Sequence, residues 1–323
     1  MRRRGFLQLA GAALAAGTAA ACATRATDAD RAAAATPIDA ATFHAMRRFA
    51  VTPFGRIAYV ERGRGEAALF LHGAPLNGFQ WRGAIERLAP YRRCIAPDFM
   101  GLGYSQIPEH QPLAASDQAA MLLALLDALG VGSADFVASD SGGAVAQRLV
   151  AHHPRRARSL LLTNGDVEPD SPPPKVEPAI AMARAGTLAD ATAHWLVDPA
   201  GARATFGKAV YAFPERLADE TIATYATPLV SSPLRRAQYH AFHLALQPNP
   251  LAGLEPLLKR SPVPLRVVWG MADDIFRPAD ADYLDGLFPQ SRGIRRVAEG
   301  KLFFAEEFPH VIAEEAMRLW GIG

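Results

Sequence analysis

Apolar runs alternate with amphipathic stretches over much of the chain after about residue 45. The runs EAALFL, ADFVAS and RSLLLTNG place apolar residues in succession, which is typical of strands buried on both faces of a parallel sheet. Between them, WRGAIERLAP and SDQAAMLLALLDALG have helical periodicity and end at Pro90 and Gly130. This alternation predicts an α/β fold, a mostly parallel sheet with helices on both faces.

The alternation stops at the proline-rich stretch DSPPPKVEP, which suits neither a central strand nor a helix interior. Only helical patterns and turns follow, until a buried strand returns at SPVPLRVVWG and a last helix at FPHVIAEEAMRLW. We therefore predict a helical insertion over 171–260, which divides the core into 45–170 and 261–323. Insertions after core strands often form lids over sites at the strand ends.

The first residues have the pattern of an export signal. Arginines at positions 2 to 4 precede a short apolar run and then small residues. The pair Arg3-Arg4 is typical of a twin-arginine signal, and the run is shorter than the roughly 20 residues that span a bilayer. We predict a signal over 1–22, a linker over 23–44, and a periplasmic or secreted protein. Cys22 follows the small residues directly, which leaves attachment of a lipid anchor open.

Charge and composition exclude several partners. Removing residues 1–21 removes three arginines and leaves 31 basic against 32 acidic residues, so nothing in the net charge favours nucleic acid. The sequence contains no metal-ligand spacing, phosphate-binding glycine loop or dinucleotide motif, so neither a metal nor a cofactor is predicted. The oligomeric state is left open.

The stretch VASDSGG leads from a predicted strand into a predicted helix and contains two candidate nucleophiles. A sharp turn of this kind exposes one side chain at the sheet edge, either that of Asp140 or that of Ser141. Small residues are needed two and three positions later, where the helix packs on the strands. Asp140 has Gly142 and Gly143 there, whereas Ser141 has Gly143 and Ala144. The spacing favours Asp140, and Ser141 remains the alternative.

Four motifs occur in an order that resembles a known family. They are LHGAPLNGFQW (71–81), APDFMGLGYS (96–105), ASDSGGAVAQ (138–147) and WGMADDIFRP (269–278). Together they resemble the α/β-hydrolase fold over about residues 45–323, in the branch of haloalkane dehalogenases and epoxide hydrolases. The resemblance implies an enzyme of the hydrolase class that acts on a small hydrophobic molecule.

The resemblance also implies roles for individual residues. Asp140 would be the nucleophile that forms an alkyl-enzyme ester, because an ionised carboxylate attacks an sp3 carbon without a base. Asp273 would orient a catalytic histidine, with its neighbour Asp274 as the alternative. The backbone N–H groups of Ala74 and Ser141 would hold developing negative charge. The residues implied to surround the substrate are His72, Gly73, Ala74 and Ser141.

The position at which the family has its catalytic histidine reads VAEGKLFFAEEFPH here. Lys301 follows Gly300 at that position, and Leu302 comes next. Lys301 is thus the catalytic candidate, although a free lysine has a pKa near ~10.4 and only strong desolvation would bring that pKa to neutrality. His240 and His243 lie in the predicted lid, from which an imidazole could reach the site.

We therefore predict an exported hydrolase that uses Asp140 at an alkyl-halide or epoxide carbon. The alternatives are an esterase that depends on Ser141 and a hydrolase-like protein that binds a ligand without turnover. Haloalkane dehalogenases hold the halide with a tryptophan after the nucleophile, where this chain has Ser141. Epoxide hydrolases protonate the opening ring with lid tyrosines, and the predicted lid contains Tyr211, Tyr225 and Tyr239.

Overall fold

The computed structural model of the protein describes residues 38–322. The predicted export signal lies outside the described residues, as does most of the predicted linker. The end of that linker is helical, because Ala40–Ala45 form helix α1. The Asp39 side chain caps this helix, and Phe43 packs edge-on against Phe79. These last linker residues therefore belong to the folded core.

Eight strands form one twisted sheet in the order β1-β2-β4-β3-β5-β6-β7-β8. β1 pairs antiparallel with β2, β2 pairs antiparallel with β4, and all later pairs are parallel. The predicted mostly parallel sheet is thus confirmed. The strands are β1 Arg48–Thr52, β2 Gly55–Arg62, β3 Ala67–Leu71, β4 Arg93–Pro97, β5 Ala134–Asp140, β6 Ala157–Gly165, β7 Leu265–Gly270 and β8 Ser291–Val297.

Helices pack on this sheet and enclose its apolar strands. α3 packs against α4, and α2 packs against the C-terminal helix α14. Within residues 38–322, none of the helices has the length and apolar character needed to cross a membrane. The helices of the core after α1 are α2 Arg82–Leu88, α3 Ala115–Ala128, α4 Ser141–His152, α12 Pro278–Leu287, α13 Phe304–Glu307 and α14 Pro309–Leu319.

A helical lid connects β6 to β7. Residues 166–264 contain helices, turns and loops, and all of them are described by the structure. Because β6 and β7 are neighbouring parallel strands, the lid segment leaves the core at the carboxyl end of β6 and re-enters it at the amino end of β7, at the opposite edge of the sheet. The lid helices are α5 Glu177–Ala185, α6 Leu188–His194, α7 Pro199–Ala202, α8 Lys208–Val210, α9 Asp219–Val230, α10 Pro233–Leu244 and α11 Glu255–Leu258.

One buried polar cluster, here called the lid clamp, joins the lid to the core. It consists of Arg82 and Glu306 from the core and Tyr211 and Tyr225 from the lid. Glu306 accepts from Arg82 at 2.5 Å and from the hydroxyls of Tyr211 and Tyr225 at 2.8 and 3.0 Å. Such a buried ion pair is tolerable because its charges are hydrogen-bonded.

Candidate active site

The turn between β5 and α4 carries a strained aspartate. Asp140 ends β5 and Ser141 begins α4. Asp140 has φ 54° and ψ −135°, and between residues 38 and 322 it is the one non-glycine residue with positive φ. Backbone strain of this kind is common at functional sites, and at this strand-to-helix turn it falls on Asp140 and not on Ser141.

Glycines allow the backbone to approach Asp140 closely. A Cβ on Gly73 would lie 2.4 Å from Oδ2 of Asp140, and one on Gly165 would lie 2.8 Å from its carbonyl oxygen. A Cβ on Gly142 would lie 2.5 Å from a backbone carbonyl oxygen of the loop after β3. At Gly143 the nearest atom would be 3.8 Å away, an ordinary contact. The elbow thus requires glycine two residues after Asp140 but not three.

Backbone donors hold the Asp140 carboxylate. The N–H of Ala74 donates to Oδ2 at 2.9 Å, and the N–H of Ser141 also interacts with the carboxylate. This is the pair of N–H groups that the resemblance implied. Two converging N–H groups form a site for an oxygen on which negative charge develops.

His72 braces the loop that carries Ala74. Its Nδ1 lies 2.9 Å from the carbonyl oxygen of Gly73, so Nδ1 carries the proton, and Nε2 accepts from the N–H of Phe99 at 3.0 Å. Burial lowers the pKa of His72. Because both ring nitrogens are occupied and the ring is neutral, His72 has a positioning role.

Asp140 faces a cavity of about 490 Å³ between the sheet edge and the lid. The walls are mostly apolar, which suits a small apolar molecule in contact with the carboxylate. The larger apolar wall residues include Met182, Trp195, Phe206, Leu246 and Phe276. The ionisable side chains that line the cavity are Asp140, Asp166, Lys175, Tyr239 and His243.

The environment of Asp140 disfavours its charge. Burial raises the pKa of Asp140 to about 8, and the negative charge of Asp166 acts in the same direction. The N–H groups of Ala74 and Ser141 oppose this rise because they stabilise the ionised form. The pKa of this carboxyl group therefore lies well above that of an ordinary aspartate, as is common for reactive groups.

Asp166 is a cavity carboxylate that the sequence analysis missed. It follows the last residue of β6, it is buried, and Ser171 Oγ donates to its Oδ1 at 2.5 Å. Burial raises the pKa of Asp166 to about 6. The signal available in the sequence was its place directly after the apolar run RSLLLTNG, where parallel strands end at the site.

Asp273, the predicted orienting acid, lies after β7 and is buried. Its carboxylate accepts from Asn164 Nδ2 at 2.8 Å and from the Ile275 N–H at 2.9 Å. Burial raises the pKa of Asp273 to about 6. Asp274 is exposed and pairs with Lys175, so Asp273 is the inward residue. It is near enough to Asp140 to raise that residue's pKa, but it does not line the cavity.

The structure does not bring Lys301 to Asp140. Its Nζ donates to the carbonyl oxygen of Lys208 at 2.5 Å, and the side chain is absent from the cavity wall. Leu302 is buried and lines the cavity instead. The physical reason is that the apolar side chain takes the inward position while the ammonium group stays partly exposed.

Of the lid residues considered from sequence, His243 and Tyr239 reach the cavity. His243 Nδ1 lies 3.1 Å from the carbonyl oxygen of Tyr239, and burial lowers the pKa of His243 to about 4. His240 instead accepts from the N–H of Ala189. Tyr211 and Tyr225 are held in the lid clamp, away from the cavity, so they are not placed to protonate a substrate there.

Comparison with known proteins identifies the family. The family described as alpha/beta hydrolase fold matches residues 68–308. The chain is 26% identical over 272 residues to haloalkane dehalogenase 2 of Mycobacterium bovis, which covers 83% of this chain and 92% of that protein. The chain therefore belongs to the α/β-hydrolase family.

Two further matches are to haloalkane dehalogenases. The chain is 42% identical over 105 residues to a haloalkane dehalogenase of Mesorhizobium japonicum, a match that spans 32% of this chain and 34% of that protein. The crystal structure of a haloalkane dehalogenase loop variant from Bradyrhizobium elkanii aligns with TM-score 0.70 and 26% identity, over 85% of this chain and 96% of that one. Within the α/β-hydrolase family, the chain is thus similar to proteins named as haloalkane dehalogenases.

Proposed function

We propose that this hydrolase cleaves an apolar alkyl halide or epoxide through an ester on Asp140. The observation that carries the proposal is the placement of one buried carboxylate, held through Oδ2 by the Ala74 N–H, against a mostly apolar cavity. Such a carboxylate attacks an sp3 carbon directly. The relatives named as haloalkane dehalogenases support a halide as the leaving group.

The reaction has two halves. Oδ1 of Asp140 attacks the carbon, the carbon–halogen bond breaks, and halide leaves with the electron pair. Oδ2 becomes the ester carbonyl oxygen, and the N–H groups of Ala74 and Ser141 hold it. Water then attacks Cγ, charge develops on Oδ2 between those donors, and collapse releases the alcohol. The net change converts alkyl halide and water into alcohol, halide and a proton.

The Ser141 hydroxyl fits a role beside the nucleophile. Its Oγ is buried without a hydrogen-bond partner among the described residues, and Ser141 lines the cavity. It is free to donate to a departing halide or to the alkoxide of an opened epoxide. A serine nucleophile would instead need a hydrogen-bonded base, so this geometry favours Asp140 over the esterase alternative.

Mass spectrometry of the intact protein tests the proposal. After incubation with a panel of bromoalkanes, epoxides and activated esters, a single alkyl group is expected on the Asp140 peptide in rapidly quenched samples. Asp140→Ala should give no adduct and no halide release, because the attacking oxygen is gone. In Ser141→Ala the adduct should still form on Asp140.

Other outcomes would identify another function. An acyl group on Ser141, formed from the esters and lost in Ser141→Ala, would establish the esterase alternative. Saturable binding of panel members without adduct or product, unchanged by Asp140→Asn, would support a ligand-binding protein.

A further inference from the structure

An ester on Asp140 needs a partner that takes a proton from the attacking water. Loss of a general base typically costs about 10²- to 10⁴-fold in rate. The loop after β8 offers no such group, because Lys301 is directed to the Lys208 carbonyl and Leu302 fills the inward position. We infer that Asp166 is the general base for hydrolysis of the Asp140 ester, an inference that rests on the function proposed above.

The sheet places the two carboxylates side by side. In the parallel pairing of β5 with β6, Asp140 lies opposite Gly165, and Asp166 is the next residue. The register shifts just before this pair, and the backbones approach so closely that Gly165 has no room for a Cβ. Both carboxylates line the same cavity. Two neighbouring strand ends thus present a nucleophile and a second carboxylate to one substrate.

Asp166 is held rigidly with one oxygen available. Ser171 Oγ donates to Oδ1 at 2.5 Å, and the Gln147 side chain donates to the Asp166 carbonyl oxygen at 2.8 Å. Among the described residues, no side chain donates to Oδ2, and the backbone N–H that interacts with the carboxylate is that of Asp166 itself. A carboxylate fixed by its neighbours and open on one side suits the binding of a single water molecule.

The charges of Asp140 and Asp166 suit the order of the two half-reactions. Before reaction, the negative charge of Asp166 disfavours ionisation of Asp140, since like charges share a buried site. The alkyl ester of Asp140 carries no charge, so Asp140 does not oppose ionisation of Asp166 at the stage when a base is needed. The Asp166 pKa of about 6 keeps that residue ionised at neutral pH and still makes it a stronger base than an ordinary carboxylate.

The other ionisable groups on the cavity wall fit the role less well. Lys175 is paired with Asp274, and the Tyr239 hydroxyl bonds Thr192 while burial raises the pKa of Tyr239. His243 has an unprotonated Nε2, but its Nδ1 proton bonds only a carbonyl of its own helix. Burial outweighs that bond and lowers the pKa of His243 to about 4, which disfavours the imidazolium that proton uptake would form.

The proposed step balances without another reagent. The Asp166 carboxylate takes a proton from water, and the hydroxyl oxygen bonds to Cγ of Asp140 while the carbonyl π pair moves to Oδ2. Collapse of this tetrahedral intermediate breaks the Cγ–Oδ1 bond, and the leaving alkoxide takes the proton back from Asp166. Asp140 is left as a carboxylic acid, which returns its proton to solvent.

Asp166→Asn provides the test, with a bromoalkane that the wild type turns over. We expect a burst of about one halide per protein, then steady turnover about 10²-fold or more below wild type. The alkyl group should accumulate on Asp140. Asp166→Glu, which keeps a carboxylate, should hydrolyse the ester faster than Asp166→Asn. Asp282→Asn is the matched control, because Asp282 is exposed, pairs with Arg296 and does not line the cavity.

Each contrary result has its own meaning. Wild-type turnover in Asp166→Asn, equal behaviour of the Asn and Glu variants, or adduct accumulation in His243→Gln alone would overturn the base assignment. A stable alkyl adduct on Asp140 in the wild type would also overturn the assignment of Asp166 as the base, but Asp140 would remain the nucleophile. Neither adduct nor halide from any protein would refute the proposed function itself and this inference with it.

Discussion

A single methyl group at Gly73 should disable the first half-reaction. It would lie 2.4 Å from both Cβ and Oδ2 of Asp140, so the carboxylate would have to leave the Ala74 N–H. Displacement of a reacting group by about 1 Å can cost on the order of 10²-fold. We expect Gly73→Ala to lower the rate of the halide burst by at least about that factor.

The matched control for this substitution is Gly143→Ala, whose new methyl group would find its nearest neighbour at 3.8 Å. Its burst rate should stay within about threefold of wild type. Equal burst rates for Gly73→Ala and Gly143→Ala would mean that the position of Asp140 does not depend on the contact with Gly73.

Sequence motifs locate backbone positions better than side-chain directions. Asp140 and Ala74 were predicted because the elbow and the His-Gly loop are local patterns whose geometry follows from their residues. Lys301 is predicted at the site only from its place in the chain. In the structure Leu302 is buried, and the ammonium group of Lys301 is directed outward, to the carbonyl oxygen of Lys208. Asp166 carries no motif, since its proximity to Asp140 arises only when β5 and β6 pair.

At the scale of elements, the lid clamp is predicted to hold the lid on the core. Glu306→Gln would leave the Arg82 guanidinium buried without its counter-charge, and would weaken the hydrogen bonds from Tyr211 and Tyr225. Removing one partner of a buried ion pair costs about 3–5 kcal/mol. We expect the free energy of unfolding, measured by urea titration, to fall by about 3 kcal/mol and proteolysis within 166–264 to accelerate.

An exposed ion pair gives the comparison for the clamp. Asp282 pairs with Arg296, and both side chains are about half exposed. Asp282→Asn should change the free energy of unfolding by less than about 0.5 kcal/mol. If Glu306→Gln were as mild as this control, the lid would be held by apolar packing rather than by the clamp.

The strands differ in how clearly the sequence pattern predicts them. β5 and β6 are central and buried along most of their length, so continuous apolar runs predict them. β8 is an edge strand with the sequence SRGIRRV and no fully buried residue, so no apolar run marks it. The lid helices follow from periodicity, but the cavity depends on how seven short helices pack, which no local pattern specifies.

At the scale of the whole molecule, buried acids should make stability depend on pH. An acid whose pKa is higher in the folded protein than in the unfolded chain stabilises the fold fully below its unfolded pKa, near ~4. That contribution is lost as pH rises through the folded pKa. For Asp166 and Asp273 the loss ends near pH 6, whereas for Asp140 it continues to about pH 8.

Asp140→Asn should therefore gain stability over the wild type as pH rises from 6 to 8. Two pH units correspond to about 2–3 kcal/mol, measured as the difference between urea unfolding curves of the two proteins at each pH. Ser141→Ala, at the adjacent buried but neutral position, should differ from wild type in free energy of unfolding by an amount that does not change with pH.

The halide burst of the wild type should increase over the same pH range, because the same ionisation creates the nucleophile. A constant offset for Asp140→Asn would mean that Asp140 is already ionised at pH 6, and the burst would then be independent of pH above that value.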